Sequence, residues 1–245
     1  MHNPETIIPV LERQLTNLRS EYQEFMSAIS HDLSATFRQT KGFSQIILKD
    51  CGGEFDEKTK HHFGFVLDGV DKGKTIIDGL REFSHLSRKN APFAEFDSQQ
   101  AIAEVLELFE GWIETSNAAI NVQKLPKITG DKEQIKIVFF HLLKNALLYR
   151  SDSVRPEIIV SCEEQKEHWE FTVSDNGIGV PGNMDERIFQ VLKRAVADND
   201  YPGHGMGLAT AKKVITRHGG TIALRRDDTA LTLMVFTLPK HPIDI

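Results

Sequence analysis

The stretch GHGMGLATAKKVITRHGG, residues 203–220, decides how the rest of the chain is read. Gly203, Gly205 and Gly207 stand at i, i+2 and i+4, directly before a segment whose spacing predicts a helix from about Gly207 to His218. Backbone N–H groups free of side chains, next to the positive end of a helix, make a cradle for an anion such as phosphate. The segment is not a dinucleotide fingerprint, because no strand leads directly into it and it sits late in the chain. Nor is it a P-loop, which needs Lys-Ser or Lys-Thr after the last glycine. A lone G-x-G-x-G also arises in ordinary flexible loops, so the neighbouring segments must carry part of the argument.

Upstream, residues 171–179 read FTVSDNGIG. Asp175 follows a strand, and a carboxylate at a strand end can accept a hydrogen bond from an exocyclic amine such as that of adenine. Gly177 and Gly179 let the backbone turn and approach a ligand closely; the same tripeptide is also a strong turn former. Further upstream, Asp131 predicts the cap of a helix reaching about Arg150. Within its HLLKNALLYR, Leu142, Leu143 and Ala146 face a sheet and Asn145 points elsewhere. A neutral amide oxygen there suits Mg²⁺ already shared with phosphates; taken alone, Asn145 also reads as a surface amide. Around this core the pattern predicts an extended stretch from Phe96, a helix from an N-capping Ser98 to about Thr115 and a strand over Ala118–Val122. It also predicts a hairpin of 157–163 with 168–174, an irregular region over 175–205, and closing strands 221–225 and 231–238. Helices and strands in this order predict an α/β sandwich with helices on one face of a mixed sheet.

The part before it, to about Ser87, reads as two long helices. Leu11, Leu15, Leu18, Tyr22, Phe25, Ile29 and Leu33 repeat with a period of about 3.5 residues, the seam of a coiled coil or bundle. Cys51-Gly52-Gly53 breaks the pattern, and Phe63, Val66, Val70, Ile77 and Leu80 mark a second helix. One such hairpin cannot bury both apolar stripes, so a homodimeric four-helix bundle is expected. His31, in Ser30-His31-Asp32-Leu33, lies two residues from both Ile29 and Leu33, about 200° round the helix, and should face solvent. An imidazole whose second nitrogen is held by a neighbouring acceptor is a competent nucleophile, and Asp32 is placed to be that acceptor. An exposed His-Asp pair is also an ordinary feature of a solvated helix face.

The formal net charge of −6 and the absence of a basic stripe exclude a general nucleic-acid role. Cys51 and Cys162, the only cysteines, stand far apart, so a reducing compartment fits and no disulfide framework is expected. MHNPETIIPVLERQ is too polar for a leader, and the longest apolar stretch, 135–148, is interrupted by Lys136, His141, Lys144 and Asn145. With no membrane span, a cytoplasmic location is expected.

Together, SHDL in a long helix, HLLKNA, DNGIGVP, RIFQVLKR, GHGMGLATAKKVITRHGG and a closing VFTLP resemble the H, N, G1, F and G2 boxes of the sensor histidine kinases, in order, over residues 20–239. HDL followed by Ala35, and DYPGHGMGLAT, look closest to the branch that includes phytochrome-like kinases. The resemblance implies an α+β chain: an N-terminal signalling helix (1–25), a dimerisation and histidine phosphotransfer hairpin (26–88), a linker (89–95) and a Bergerat-fold ATP-binding domain (96–240). It implies His31 as phosphoacceptor, Asp32 as acid/base partner, Asn145 as Mg²⁺ ligand and Asp175 as adenine partner. Tyr149 would flank the nucleotide, Gly177 and Gly179 shape its site, and Arg194 reach the γ-phosphate. Gly203, Gly205, Gly207 and Leu208 would form the phosphate end, with Thr237 on the pocket floor. The expected ligands are ATP and Mg²⁺. The expected partners are a second copy, a response-regulator receiver domain, and a sensory partner in trans or a sensor domain outside this chain.

Several positions depart from the family pattern. Thr36 replaces the proline five residues after the phosphoacceptor, so less helix bending is expected. Ala35 predicts weak phosphatase activity. His141 replaces the first N-box asparagine, Leu148 a lysine, Leu192 an F-box phenylalanine, and Thr229-Ala230-Leu231 a second glycine pair, which together predict a slow kinase. Two other activities were open to such a chain: a non-catalytic phosphorelay scaffold, which could lose Asn145, Asp175 and the glycines, and an ATPase, which has no use for an exposed His-Asp pair.

Overall fold

The computed structural model describes residues 4–86, 91–150, 154–195, 201, 203–226 and 231–242. Ser87, linker residues 88–90, Thr229-Ala230 and the side chains of Leu11 and Leu15 lie outside the described residues. The chain divides into two compact units, 1–88 and 89–245.

The first unit is a helical hairpin of α1 (Pro4–Cys51) and α2 (Glu57–His85). Gly52 turns the chain, its N–H bonded to the Leu48 carbonyl at 3.0 Å, where a Cβ would collide with that same oxygen. Asp56 then caps α2, accepting from the Thr59 N–H at 2.7 Å. Gly73 faces the Phe37 ring, which a Cβ would meet at 2.5 Å, and Lys41 pairs with Asp71 at 2.6 Å. The helices therefore run antiparallel and close together. Their contact buries Met26, Ser30 and Ser44 on α1 with Val70, Ile77, Gly79 and Ser84 on α2. Val70 and Ile77 belong to the apolar stripe expected on the second helix, but the α1 side of the contact is not the seam of the sequence pattern. Small residues make the hairpin contact because they let the backbones approach, and the seam beside it stays open: Leu18 is 64% exposed, Phe25 61% and Tyr22 50%.

The second unit is an α/β sandwich. Strands β1 (Ala94–Asp97) and β3 (Lys127–Gly130) form a small antiparallel sheet. Strands β2 (Ala119–Val122), β4 (Glu157–Glu164), β5 (His168–Asp175), β6 (Ile222–Arg225) and β7 (Thr232–Pro239) form the main sheet, in the order β2-β4-β5-β7-β6. Among the described residues, only β2 and β4 pair in parallel, and the α-helices of the unit are α3 (Ser98–Glu107), α4 (Glu110–Ser116), α5 (Lys132–Leu148) and α6 (Gly207–Arg217). A largely aliphatic core carries three fully buried phenylalanines. The Phe171 and Phe236 rings stack across β5 and β7 at 4.9 Å, and Phe139 of α5 meets both edge-on at 6.1 and 5.9 Å.

Local details differ from the sequence expectation in four places. Asp97, not Ser98, caps α3, accepting from the Gln99 N–H at 2.8 Å, while the Ser98 hydroxyl donates to the Pro126 carbonyl at 2.5 Å. The helix expected to reach Thr115 breaks at Leu108–Phe109, and Asn117 ends the second piece with φ 50°. Strand β3, only four residues long, was not anticipated. The expected linker 89–95 overlaps β1, and its middle is fastened to the domain. Phe93 stacks on His218 at 4.5 Å, Arg217 lies over Phe93 at 4.8 Å, and the Ala91 N–H donates to Asp131. Asp131 caps α5 as expected, and its own N–H donates to His218 Nε2 at 3.0 Å.

The three-ring core gives a direct test. Replacing fully buried Phe236 by Ala removes one ring from two aromatic contacts. It should lower the unfolding free energy by about 3–5 kcal/mol, measured by urea denaturation of the full chain.

Candidate active site

A cleft with about 1050 Å³ of unfilled space opens in the second unit. The last two turns of α5 form one wall, the ends of β5 and β7 the floor, and residues 203–208 the far rim. On the floor Asp175 is buried, its Oδ1 accepting from the Gly177 N–H at 2.9 Å. Burial pushes this carboxyl up to about 6, against the hydrogen bonds from Gly177 and Thr232 that favour the charged form. Thr232 is the register partner of Asp175 across the β5–β7 ladder, so the two stand side by side by construction.

Glycines are needed here for stated reasons. A Cβ on Gly177 would strike the Tyr149 carbonyl, which already accepts from the Ile178 N–H at 3.0 Å. Gly205, at φ +70°, packs on the Leu192–Lys193 backbone, where a Cβ would meet the Lys193 oxygen at 2.6 Å. Its carbonyl accepts from the Leu192 N–H at 3.0 Å, which holds Leu192 itself at φ 61°. Gly207 opens α6, and no side chain caps that helix. Its first-turn N–H groups are thus left for an anion in the cleft. Lys144, Lys193 and Arg194 add positive charge to the lining. Arg194 donates to the Tyr201 carbonyl, and Tyr201 donates to the Arg150 carbonyl at 3.0 Å with its ring 5.3 Å from Tyr149.

Of the expected ligand-binding residues, Asn145, Tyr149, Asp175, Gly179, Arg194, Gly203, Gly205, Gly207 and Leu208 line this cleft, and Gly177 shapes it from behind. Thr237 does not. It pairs with Glu170, five residues along β7 from Thr232, and its hydroxyl accepts from the Thr221 N–H at 3.0 Å. The floor threonine is Thr232, which only the strand register reveals. Sequence reasoning also passed over Lys193 and Met206, and treated His141 only as a departure; all three line the cleft. His141 is buried against Gly207, where a Cβ would meet its Nδ1 at 2.9 Å.

His31 and Asp32 belong to the helical unit. Their side chains are 79% and 84% exposed, with His31 Nδ1 and Asp32 Oδ1 3.1 Å apart. A carboxylate only accepts, so in this contact Nδ1 is the donor.

Comparison with known proteins agrees with this architecture. Residues 130–242 match the family described as histidine kinase-, DNA gyrase B- and HSP90-like ATPase. The chain is 30% identical over 229 residues to the phytochrome-like protein Cph1 of Synechocystis sp., covering 94% of this chain and 30% of that protein. It is 24% identical to the histidine protein kinase SaeS of Staphylococcus aureus, covering 96% of this chain and 69% of that one. The catalytic domain of histidine kinase ThkA superposes with a TM-score of 0.53 at 25% identity, covering 62% of this chain and all of that domain. Full-length ShkA, solved in complex with AMPPNP, shares the fold with a TM-score of 0.63 at 17% identity, over 91% of this chain and 47% of that one. The second unit is therefore an ATPase-type domain of the histidine kinase class. With the helical hairpin ahead of it, the chain is similar over most of its length to sensor histidine kinases. It spans 28–30% of the length of the phytochrome relatives it matches. No helix among the described residues is long and apolar enough to cross a membrane.

The buried Asp175 carboxyl has a pH signature. Its pKa is raised on folding, so the folded state holds this proton more tightly than the unfolded chain does. The resulting stabilisation is complete below pH 3.8 and is lost as pH rises through about 6. Asp175→Asn should therefore stabilise the nucleotide-free protein by about 2–3 kcal/mol at pH 8 and by almost nothing at pH 4, measured by urea unfolding at both. A difference that stays constant across that range would remove burial as the source of the shift.

Proposed function

We propose that the chain is an ATP-dependent protein-histidine autokinase that phosphorylates His31 and passes the phosphoryl group to an aspartate of a receiver domain. The observation that carries this reading is the pairing of two features in one chain. One is a cleft with a buried carboxylate at one end and an uncapped helix N-terminus among glycines at the other. The second is a solvent-facing imidazole whose Nδ1 is held by Asp32.

In this reading Asp175 accepts from the adenine amine, and the first turn of α6 with Lys193 and Arg194 receives the phosphates. The residues present fit a divalent cation at the phosphate end: Asn145, on the cleft wall, offers a neutral oxygen and would hold Mg²⁺, which supplies charge neutralisation there. His31 Nε2 attacks the γ-phosphorus in line, the N–P bond forms as the β–γ bridging P–O bond breaks, and ADP leaves. Asp32 takes the Nδ1 proton. Catalysis is then mostly positioning and electrostatics. The exposed seam of Leu18, Tyr22, Phe25 and Leu33 supports a homodimer that buries it against a second hairpin. Transfer to a receiver aspartate is supported by the chain's similarity to sensor histidine kinases.

Autophosphorylation with γ-labelled ATP and Mg²⁺ tests the core of this reading. Acid-labile label should appear on the wild-type chain, vanish in His31→Gln and fall at least about a hundredfold in Asn145→Ala. Label retained in His31→Gln would place the nucleophile elsewhere. The dimer has its own check. The wild type should sediment as a dimer at tens of micromolar, and Phe25→Glu, which puts a charge into the seam, should sediment as a monomer.

A further inference from the structure

We propose that Arg226, an exposed residue just past β6, is a positioning residue that holds one wall of the cleft in its nucleotide-receiving form. The proposal rests on the nucleotide reading of that cleft. Ile178, Gly179 and Val180 form the wall next to Asp175. Little regular structure supports them. The segment runs through Gly177, Gly179 at φ +75°, Pro181 and Gly182, with a single 3₁₀ turn over Gly182–Met184. Its upstream end is tied by the Gly177 N–H to Asp175 and by the Ile178 N–H to the Tyr149 carbonyl.

Downstream, the tie comes from forty-odd residues away in the chain. Arg226 Nη2 donates to the Val180 carbonyl at 2.6 Å and to Asp185 Oδ1 at 2.5 Å, and Nε donates to Asp185 Oδ2 at 3.2 Å. One planar guanidinium thus grips a carboxylate with two prongs and a wall carbonyl with a third bond. A lysine ammonium cannot reproduce that geometry. The hydrogen bond to Arg226 holds Asp185 below the usual carboxylate range and raises the arginine in turn, so both stay charged near neutrality. An exposed pair of this kind contributes little to global stability. Its effect is local: it removes conformational freedom from a glycine-rich wall before the ligand arrives. If releasing it leaves about a tenth of the molecules with the wall in place, apparent affinity falls about tenfold.

The test combines calorimetric titration of the full chain with AMPPNP and with ADP, in Mg²⁺, and hydrogen exchange of the amides of residues 178–184. The expected result is that Arg226→Ala and Asp185→Ala weaken both nucleotides by the same factor, about five- to tenfold. They should also speed exchange in the wall and leave the thermal midpoint unchanged. Arg226→Lys should recover less than half of the loss. In autophosphorylation the KM for ATP should rise while kcat holds. Wild-type affinity in Arg226→Ala, with the wild type itself binding, overturns the proposal and leaves the nucleotide reading intact. A loss that grows from ADP to AMPPNP also overturns it, because Arg226 would then be acting through charge on the phosphates. Failure of the wild type to bind either nucleotide overturns the reading of the cleft, and this proposal with it.

Discussion

The stacked rings of Phe171 and Phe236, with Phe139 set edge-on against both, fix the geometry on which the cleft depends. The stack locks β5 to β7 and α5 to the pair. Asp175 lies four residues beyond Phe171, about 13 Å along its strand. Thr232, four residues before Phe236 on the antiparallel neighbour, comes to the same end. Asn145 lies six residues beyond Phe139, about 9 Å along α5. Three polar groups from three elements thus converge at one end of an apolar stack that touches none of them. An interior packed to this density transmits position because it cannot deform by small amounts.

Much of this was legible in the sequence because it is local. Asp131 capping α5, the β4–β5 hairpin and the start of α6 at Gly207 each follow from a few neighbouring residues. What failed was non-local. Thr237 and Thr232 have the same residue type on one strand, and only the pairing of β7 with β5 decides which stands beside Asp175. Likewise, the α1 seam was visible as a period, but its partner was not. On α1 the hairpin contact runs instead through Met26, Ser30 and Ser44, and on α2 Gly73 and Gly79 stand beside the expected Val70 and Ile77; the small residues carry little hydrophobic signal and act by letting helices approach. The Arg226–Asp185 pair is the same kind of case, since two exposed charges 41 positions apart leave no mark on a pattern.

The cleft is built from features that each oppose stability. A carboxyl is buried to the point where its pKa reaches about 6, Leu192 is held in the left-handed region, and a helix begins without a side-chain cap. Strain and unmet hydrogen-bonding capacity concentrated in one place are what a binding site leaves behind when its ligand is considered separately. In the proposed reading the carboxyl would face the adenine amine and the uncapped helix the phosphates, so two of these three features would meet a complementary group on an adenine nucleotide.

The two units divide the chemistry unequally. The cleft is shaped by close approach and burial, whereas His31 is exposed with its one interaction to the adjacent Asp32. If His31 is the proposed nucleophile, its place on a solvated helix face leaves it open to partners as well as to a phosphoryl donor. Its contact with Asp32 is at Nδ1, so the rest of its environment would come from whatever docks beside it. On the proposed autokinase reading, specificity for nucleotide would reside in the second unit and specificity for a receiver in the helix surface around His31. The open face of Phe25 and Leu33 belongs to the same helix, so the residues that would seal a dimer share α1 with the residue that, in this reading, must stay accessible. Ile29 and Leu33 each stand two positions from His31, about 200° away, which is the separation that lets one helix serve both purposes at once.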